Sequence, residues 1–356
     1  MKSPLVGIMG ISGAAGKNAY RILKRYFRIR GGGRHGPKEN FGDAEWIRAD
    51  VQEPETISRF VKGCDVVLNC AGPSYYIGDA IWKIAEKEGV IYVDAFGADL
   101  LMGGREKDRG TLCVAGAGSF PGLSGLIVKF MAEKYPDRKG NVTVYYGVNE
   151  GMTRTAAVDF LLSVIHGFSM PGAVIRQGEV MNLPDSDQGT WNCPLINQNV
   201  FVQTCLNAET AAQSRLLNLE NVCWYNIMPT LEGKTRLTAI FKNLLKDFTA
   251  QNLEIQAGHL EELYGKEASH GGPWNIQVTE TGGNRHVFRA ETGTEITGMM
   301  AALAVKSAIN SKRKGICWAW EIMEYEEVMK ELLTEGTNVC CGISRMEEAL
   351  FLEGIL

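Results

Sequence analysis

The stretch VGIMGISGAAGKNAYRIL, Val6 to Leu23, passes from a short apolar run through three glycines into a helix-like pattern. The apolar run is typical of a buried strand, and the residues after the last glycine place apolar side chains at helical spacing. Glycines at such a junction permit a tight turn with positive φ and let a ligand approach the backbone. The following helix presents first-turn N–H groups and the positive end of its dipole, which suit a pyrophosphate. The spacing G-x-x-G-x-x-G from Gly10 to Gly16 therefore predicts a strand–turn–helix unit that binds a dinucleotide.

Residues 28–36, RIRGGGRHG, indicate which dinucleotide this unit binds. An NAD site carries an acidic residue about 20 positions after the first glycine, where it accepts hydrogen bonds from the ribose 2′-hydroxyl. This window has three arginines and no acid. A guanidinium suits the 2′-phosphate of NADP, which a carboxylate would repel. NADP is therefore the predicted cofactor, with Arg34 as the first choice for the phosphate ligand and Arg30 as the second. A solvated basic turn is the alternative.

Predicted strands and helices alternate through the rest of the first 120 residues. This alternation predicts an α/β fold, a Rossmann-like doubly wound parallel sheet that binds its ligand at the carboxyl ends of the strands. The predicted strands lie in 44–51, 64–73, 90–99 and 109–118, and the predicted helices in 54–63 and 78–89.

The residues predicted to bind the cofactor belong to the glycine turn, to the ends of the neighbouring strands and to the basic window. Cys70 to Pro73, in NCAGP, are expected in the cofactor crevice because they end a predicted strand, although a plain strand end is the alternative. The full predicted set is Gly10, Ser12, Gly13, Ala14, Ala15, Gly16, Arg34, Asp50, Cys70, Ala71, Gly72 and Pro73.

Three motifs resemble the saccharopine dehydrogenase-like NADP-binding family. They are GISGAAG (10–16), NCAGPSYYIGDAIWKIAEKEGVIYVDAFGADL (69–100) and GAGSFPGLSGLIV (116–128), and the match is ordered over residues 5–130. Residues 297–323 also resemble the family's returning helix and the strand that follows it. The chain departs from the family where Asp99 lies one place away from the acid of the usual Gly-Glu.

Residues 140–295 differ from the first part because predicted strands lie next to one another without regular helices between them. They predict a second, α+β domain with a mixed sheet, including a hairpin around GGN at 282–284. Segment 169–194 carries glycines and prolines and is predicted to be a mobile lid or a long surface loop. The predicted division is a cofactor domain of 1–122 and 297–356, and a substrate and dimerisation domain of 123–296.

A nicotinamide enzyme needs a positioned acceptor and, for C=N or C=C reduction, a proton donor. Tyr75 and Tyr76 follow the predicted cofactor strand, so one phenol is a candidate donor, with a packed ring as the alternative. Asp94 ends a predicted strand and is expected to orient the substrate or relay a proton, unless it caps the next turn. Arg154 begins a predicted helix, where it would bind a substrate carboxylate. His166 lies in an apolar helical pattern and is predicted to be a core histidine.

Composition excludes several other classes of protein. The 356 residues are 45% hydrophobic and 22% charged, and the net charge of −4 gives no basic footprint for nucleic acid or anionic lipid. No apolar run approaches the roughly 20 residues of a membrane span, and the N-terminus lacks a signal-peptide pattern. Nine scattered cysteines without zinc spacing predict a reduced, metal-free protein. We therefore expect a cytoplasmic protein with a small-molecule substrate, and without nucleic-acid or membrane partners.

The resemblance implies an NADP-dependent oxidoreductase, and it leaves a homodimer open. The predicted reaction is NADPH-dependent reduction of an imine in a small, amino-acid-derived substrate. One alternative is a trans-acting enoyl reductase that acts on the C=C bond of an acyl or polyketide intermediate. The other is an NADP-binding redox sensor without catalytic activity.

Overall fold

A computed structural model describes residues 3–37, 39–103, 110–136, 140–147, 150–183, 189–193, 198–268 and 274–345. The chain divides into two units, the first formed by residues 1–126 and 293–336 and the second by 127–292 and 337–356. Within the described ranges, strands β1–β17 and helices α1–α12 are numbered in chain order.

The first unit is built on a seven-stranded parallel sheet. Its strands are β1 (Leu5–Met9), β2 (Arg28–Gly33), β3 (Glu45–Arg48), β4 (Val66–Asn69), β5 (Ile91–Asp94), β6 (Leu112–Ala115) and β16 (Gly315–Trp318). Its helices are α1 (Ala14–Leu23), α2 (Pro54–Val61), α3 (Ser74–Ile77), α4 (Ala80–Lys87), α5 (Ala98–Met102), α11 (Gly293–Asn310) and α12 (Tyr325–Glu335).

The strand order β3-β2-β1-β4-β5-β6-β16 confirms the predicted doubly wound sheet. All residues of β1 are buried, as expected for a parallel strand covered by helices on both faces. Val6 of β1 pairs with Ile29 of β2 on one side and with Val66 of β4 on the other. The direction of winding reverses between β1 and β4, and ligands bind at such switch points in open α/β sheets.

The C-terminal part of the first unit returns to this sheet, as predicted. Helix α11 packs on α1, and β16 adds to the sheet beside β6. A side chain at Gly298 would block the helix contact, because its Cβ would lie 2.4 Å from the carbonyl oxygen of Ala15. The two helices therefore need glycine at this crossing.

The second unit contains a ten-stranded mixed sheet, which confirms the predicted α+β organisation. Its strands are β7 (Asn141–Gly147), β8 (Ser169–Pro171), β9 (Ala173–Arg176), β10 (Glu179–Asn182), β11 (Thr190–Cys193), β12 (Gln198–Asn207), β13 (Asn221–Met228), β14 (Trp274–Glu280), β15 (Asn284–Ala290) and β17 (Cys340–Arg345). Its helices are α7 (Arg154–Ile165), α8 (Ala208–Leu217), α9 (Leu231–Lys246) and α10 (Ala250–Glu267), while α6 (Leu123–Lys134) spans the boundary between the units.

Strand β7 lies inside this sheet, parallel to β13 and antiparallel to β14. Strands β14 and β15 pair as an antiparallel hairpin, as the sequence predicts around GGN. Segment 169–194 differs from its prediction. It contributes β8, β9, β10 and β11 to strand pairs instead of forming a lid or a long loop. Its residues 184–188 and 194 lie outside the described ranges.

The predicted domain division is wrong for the C-terminal segment. Residues 337–356 were expected in the cofactor domain, but β17 pairs with β15 in the sheet of the second unit. Cys340 pairs with Arg289 and Arg345 pairs with Asn284, so the whole described strand joins that edge. The backbone N–H and C=O groups on the free edge of β15 need hydrogen-bond partners, and β17 supplies them.

Candidate functional site

Gly10 directly follows β1 and contacts both Gly32 of β2 and Ala71, which follows β4. Its N–H donates to the carbonyl oxygen of Gly32 at 2.8 Å, and its φ is +77°. A Cβ at this position would lie 2.8 Å from the backbone nitrogen of Ala71, which follows β4. Glycine is required here by the left-handed backbone and by the close approach of the neighbouring chain.

The two other glycines of the turn have different roles. The N–H of Gly13 donates to the carbonyl oxygen of Gly10 at 2.9 Å, and a Cβ on Gly16 would lie 2.2 Å from that same oxygen. Gly16 therefore lets α1 start directly against the turn. Gly13 is exposed and is the N-cap of α1, where it has no side chain to cap the first-turn amides. Ser12 and Ala14 are also exposed, so the start of this helix is open to an anion.

A cavity of about 380 Å³ lies beside this turn, within the first unit. It is lined by the turn, by the end of β2 and the residues after it, and by two aromatic rings. The lining residues are Gly10, Ser12, Lys17, Gly32, Gly33, Arg34, His35, Gly36, Glu39, Phe41 and Trp46. The predicted glycine turn and the predicted Arg34 are thus brought to one cavity.

Arg34 and Arg30 differ in exposure to solvent. Arg34 directly follows β2, is exposed and lines the cavity. Arg30 is buried inside β2, where its guanidinium donates to the carbonyl oxygens of Phe60 and Lys62 and to the carboxylate of Glu45. Arg30 is therefore not available to a ligand, and its choice as the second phosphate ligand is wrong because its buried guanidinium is already held by two carbonyl oxygens and a carboxylate.

The glycines at 31–33 are explained by aromatic packing. A Cβ on Gly32 would lie 2.6 Å from the ring of Phe60, and a Cβ on Gly31 or Gly33 would lie 3.1 Å from the ring of Trp46. Trp46, on β3, thus lies against the backbone of β2 and forms a wall of the cavity. The sequence placed Trp46 in a predicted strand but carried no signal that its ring would line a cavity.

Lys17 and Glu39 are cavity residues that sequence reasoning missed. Lys17 lies one turn into α1, and helical side chains lean towards the N-terminus of their helix. Its Nζ lies 2.5 Å from Oε1 of Glu39. The position of Lys17 one helical turn after Gly13 was a usable signal, whereas nothing in the sequence pointed to Glu39.

The predicted cofactor-binding residues that follow β3 and β4 have different surroundings. Ala71 contacts Gly10, as described, while the Cys70 side chain is buried and its burial raises the pKa of the thiol. Gly72 and Pro73 are half-buried and lead into α3. Asp50 accepts from the N–H of Gln52 at 3.1 Å and does not line the described cavity. The geometry thus places Asp50 in the turn between β3 and α2, without support for a cofactor contact.

Asp94 ends β5 and is 1% exposed. Its Oδ1 accepts from the backbone N–H groups of Phe96 and Gly97, and its Oδ2 accepts from Asn69 Nδ2 and the Tyr92 hydroxyl. Burial and the adjacent Asp94 carboxylate raise the pKa of Tyr92 well above its ordinary value. Four donors hold this carboxylate, an arrangement that matches the turn-capping alternative for Asp94.

Tyr75 and Tyr76 lie on the short helix α3, which Cys70 to Pro73 connect to the end of β4. Tyr76 is 59% exposed and Tyr75 is half-buried. Neither ring is buried in the core, so the packed-ring alternative does not describe Tyr76. A role for either phenol as proton donor stays a prediction.

Arg154 begins α7, as predicted, but its guanidinium is engaged within the second unit. Its Nε donates to Glu261 at 3.0 Å, and its Nη1 donates to the carbonyl oxygen of Glu254 at 3.0 Å. Both partners lie on α10. These contacts tie α7 to α10 and give no support to the predicted carboxylate site.

Two histidines of the second unit, His166 and His286, have opposite exposures. His166 is exposed at the C-cap of α7, so the prediction of a core histidine is wrong. His286 on β15 is fully buried instead, with Nε2 3.4 Å from Sγ of Cys341 and its ring edge-to-face with Phe130. Burial, helped by the charge of Lys134, lowers the pKa of His286 to about 4.

Two further properties concern the described ranges only. No helix there is both long and apolar enough to cross a membrane. No group of three or more histidine, cysteine, aspartate or glutamate side chains there is placed to bind a metal ion.

Comparisons with known proteins show the fold. No family model matches the chain, and no curated protein matches it. Among solved structures, the chain is similar to an apo, histidine-tagged saccharopine dehydrogenase (L-Glu forming) from Saccharomyces cerevisiae. The match covers 96% of this chain and 100% of the yeast chain, at 12% identity and a TM-score of 0.63. The chain therefore has a saccharopine dehydrogenase-like fold.

Two other solved structures match about a quarter of the chain. One is a short-chain dehydrogenase/reductase superfamily protein from Agrobacterium tumefaciens with bound NAD, at 15% identity and a TM-score of 0.23, covering 25% of this chain and 31% of that one. Another is a short-chain dehydrogenase/reductase from Veillonella parvula in complex with NADP, at 20% identity and a TM-score of 0.22, covering 26% and 47%.

Proposed function

We propose that this chain is an NADPH-dependent reductase that acts on the C=N bond of a small, amino-acid-derived substrate. The observation that carries the cofactor assignment is the position of Arg34. It directly follows β2 and lines the same cavity as Gly10 and Ser12 of the glycine turn. An NAD-binding site of this type would present an acid at the end of this strand, where this chain has Arg34.

The residues of the cavity fit a dinucleotide phosphate. The uncapped N-terminus of α1 presents backbone N–H groups for the pyrophosphate. A Cβ on Gly10 or Gly16 would clash with neighbouring backbone atoms and force this turn open. Arg34 supplies a planar cation suited to a 2′-phosphate. Trp46 and Phe41 supply aromatic walls suited to a purine ring.

NADPH would supply the hydride, and the protein would orient the acceptor and provide the proton. The imine acceptor is inferred from the resemblance to the saccharopine dehydrogenase-like family, and the similar yeast structure agrees with that resemblance in fold. Reduction of C=N also requires a proton at nitrogen, for which Tyr75 or Tyr76 is our candidate because both follow β4.

Calorimetric titration with NADPH and NADH tests the cofactor assignment. We expect NADPH to bind at least about ten times more tightly, since a guanidinium–phosphate contact is a charge-assisted hydrogen bond. Equal affinities, or binding of neither coenzyme, would contradict the proposal.

Consumption of NADPH then tests the reaction. We expect turnover with mixtures of a 2-oxo acid and an amine, which form imines in solution. Turnover only with an α,β-unsaturated thioester would instead identify an enoyl reductase. Tight binding of NADPH without turnover on either substrate class would favour a redox sensor.

A further inference from the structure

Lys17 and Glu39 face each other in the cavity that we assign to the adenosine end of the cofactor. Lys17 Nζ and Glu39 Oε1 are 2.5 Å apart. The lysine side chain is 41% exposed and the glutamate side chain is 57% exposed. An ion pair this open to water is weak and readily exchanged for a stronger partner.

This ion pair determines which charged side chains of the cavity are available to a ligand. Lys17 and Arg34 are the cationic side chains among the described lining residues, and Glu39 is the anionic one. While Glu39 is paired with Lys17, Arg34 is left as the main cation facing a ligand. A phosphate dianion would be attracted to both cations and repelled by Glu39, so its arrival favours release of the glutamate into solvent.

We propose that Lys17 is a second, specificity-determining ligand of the 2′-phosphate and that Glu39 is its competitor, which neutralises Lys17 until a phosphate displaces it. This inference rests on the proposed function. A nucleotide with a 2′-hydroxyl has no charge with which to displace Glu39, so it leaves the ion pair closed. Lys17 thereby adds to the discrimination that Arg34 provides, while Glu39 competes with the phosphate and reduces the gain in NADPH affinity.

The proposal makes opposite predictions for the two side chains. Lys17→Gln should weaken NADPH binding by about tenfold, as expected for loss of a charge-assisted contact, and should change NADH binding by less than about twofold. Glu39→Gln should tighten NADPH binding by about threefold, because the competing carboxylate is removed. Lys24→Gln is the matched control, since Lys24 follows the same helix but does not line the cavity.

The double variant Lys17→Gln/Glu39→Gln tests the coupling. If Glu39 acts by neutralising Lys17, removal of Glu39 should give no further gain once Lys17 is absent, so the two effects should be non-additive. Additive effects would overturn the role of Glu39. Equal weakening of NADPH and NADH by Lys17→Gln would overturn the assignment of Lys17, and would place it on the pyrophosphate instead.

Adenosine 2′,5′-bisphosphate separates this inference from the proposed function. The bisphosphate carries the 2′-phosphate without a nicotinamide, and the same variants should shift its affinity in the same directions as that of NADPH. If wild-type protein binds neither coenzyme but binds the bisphosphate with these shifts, the reductase proposal fails and the phosphate site stands. If the bisphosphate does not bind, or binds all variants equally, the inference itself is wrong.

Discussion

The Cβ atom that Gly16 lacks would lie 2.2 Å from the carbonyl oxygen of Gly10. That oxygen already accepts a hydrogen bond from the N–H of Gly13. The first and third glycines of the turn thus pack against each other, and the glycine turn is closed by the contacts of Gly10 with Gly13 and Gly16.

Gly16→Ala should therefore destabilise the protein. We expect the free energy of unfolding to fall by about 1–3 kcal/mol, the usual cost of overpacking, and NADPH binding to weaken because the turn must open. Urea denaturation and coenzyme titration measure the two effects. Gly265→Ala is the control, since nothing lies within 4 Å of its Cβ position in α10, and alanine there should stabilise the helix by roughly 0.8–1 kcal/mol. A Gly16→Ala protein as stable as the wild type would rule out the close packing.

Arg34→Ala should alter cofactor preference more than stability. NADPH affinity should fall by about 10- to 100-fold, because a contact between a guanidinium and a phosphate is lost, while NADH affinity should change by less than about threefold. Arg59→Ala serves as the control, because Arg59 is exposed on α2 and does not line the cavity. Equal loss of both coenzymes would remove Arg34 from the assignment.

Asp94→Asn distinguishes a structural from a catalytic carboxylate. An asparagine amide would direct N–H groups at donors that now face a carboxylate oxygen, so we expect a loss of about 2–3 kcal/mol in the free energy of unfolding. Tyr92→Phe, which removes one donor to Oδ2, should cost less. A variant with wild-type stability and no turnover would instead support the predicted catalytic role of Asp94.

His286 should make stability depend on pH between about 6.5 and 4. Its pKa in the folded protein is lowered to about 4, so the unfolded chain binds the proton more readily within this window. Stability should therefore be fully present above about pH 6.5, and should fall by roughly 3 kcal/mol as the pH drops to 4. Denaturant unfolding across this range should show a smaller slope for His286→Asn than for wild type. The exposed His259, changed to Asn, is the control, and equal slopes for all three proteins would contradict the assignment.

Arg154→Ala tests whether this residue holds a substrate. Its partners on α10 are exposed carboxylates, so we expect a loss of stability of less than about 1 kcal/mol and an unchanged KM for the substrate. Glu261→Ala, which removes one of those partners, should behave in the same way. A large rise in KM for Arg154→Ala alone would restore the predicted carboxylate site.

The cofactor unit was predictable because its signals are local. The glycines from Gly10 to Gly16 lie between a predicted strand and a predicted helix, and in the fold Gly10 and Gly13 lie between β1 and α1 while Gly16 lies in the first turn of α1. The alternation of strands with helices specifies parallel pairing, because a crossover helix returns the chain to the same end of the sheet. Arg34 was correctly expected near the glycine turn, because its position depends only on the end of one strand, whereas its role as a phosphate ligand stays a prediction.

The predictions that failed concern residues whose contact partners lie far away along the chain. Arg154 is neutralised by Glu261, 107 positions later, and no spacing rule links the two. Strand β17 was assigned to the wrong unit because the edge on which it pairs is set by β15, across two helices and a strand. Glu39 was missed for the same reason, since its contact with Lys17 arises only where the loop after β2 returns to α1.

The return of β17 to the second unit constrains how this protein can be dissected. A fragment that stops at Gly336 would retain all seven strands of the first sheet, but would leave the outer edge of β15 bare and prone to recruit a foreign strand. The N–H of Glu291 donates to the carbonyl oxygen of Thr337, so the two segments of the second unit meet there. Splicing Thr292 directly to Thr337 is therefore the natural way to express that half as one continuous polypeptide.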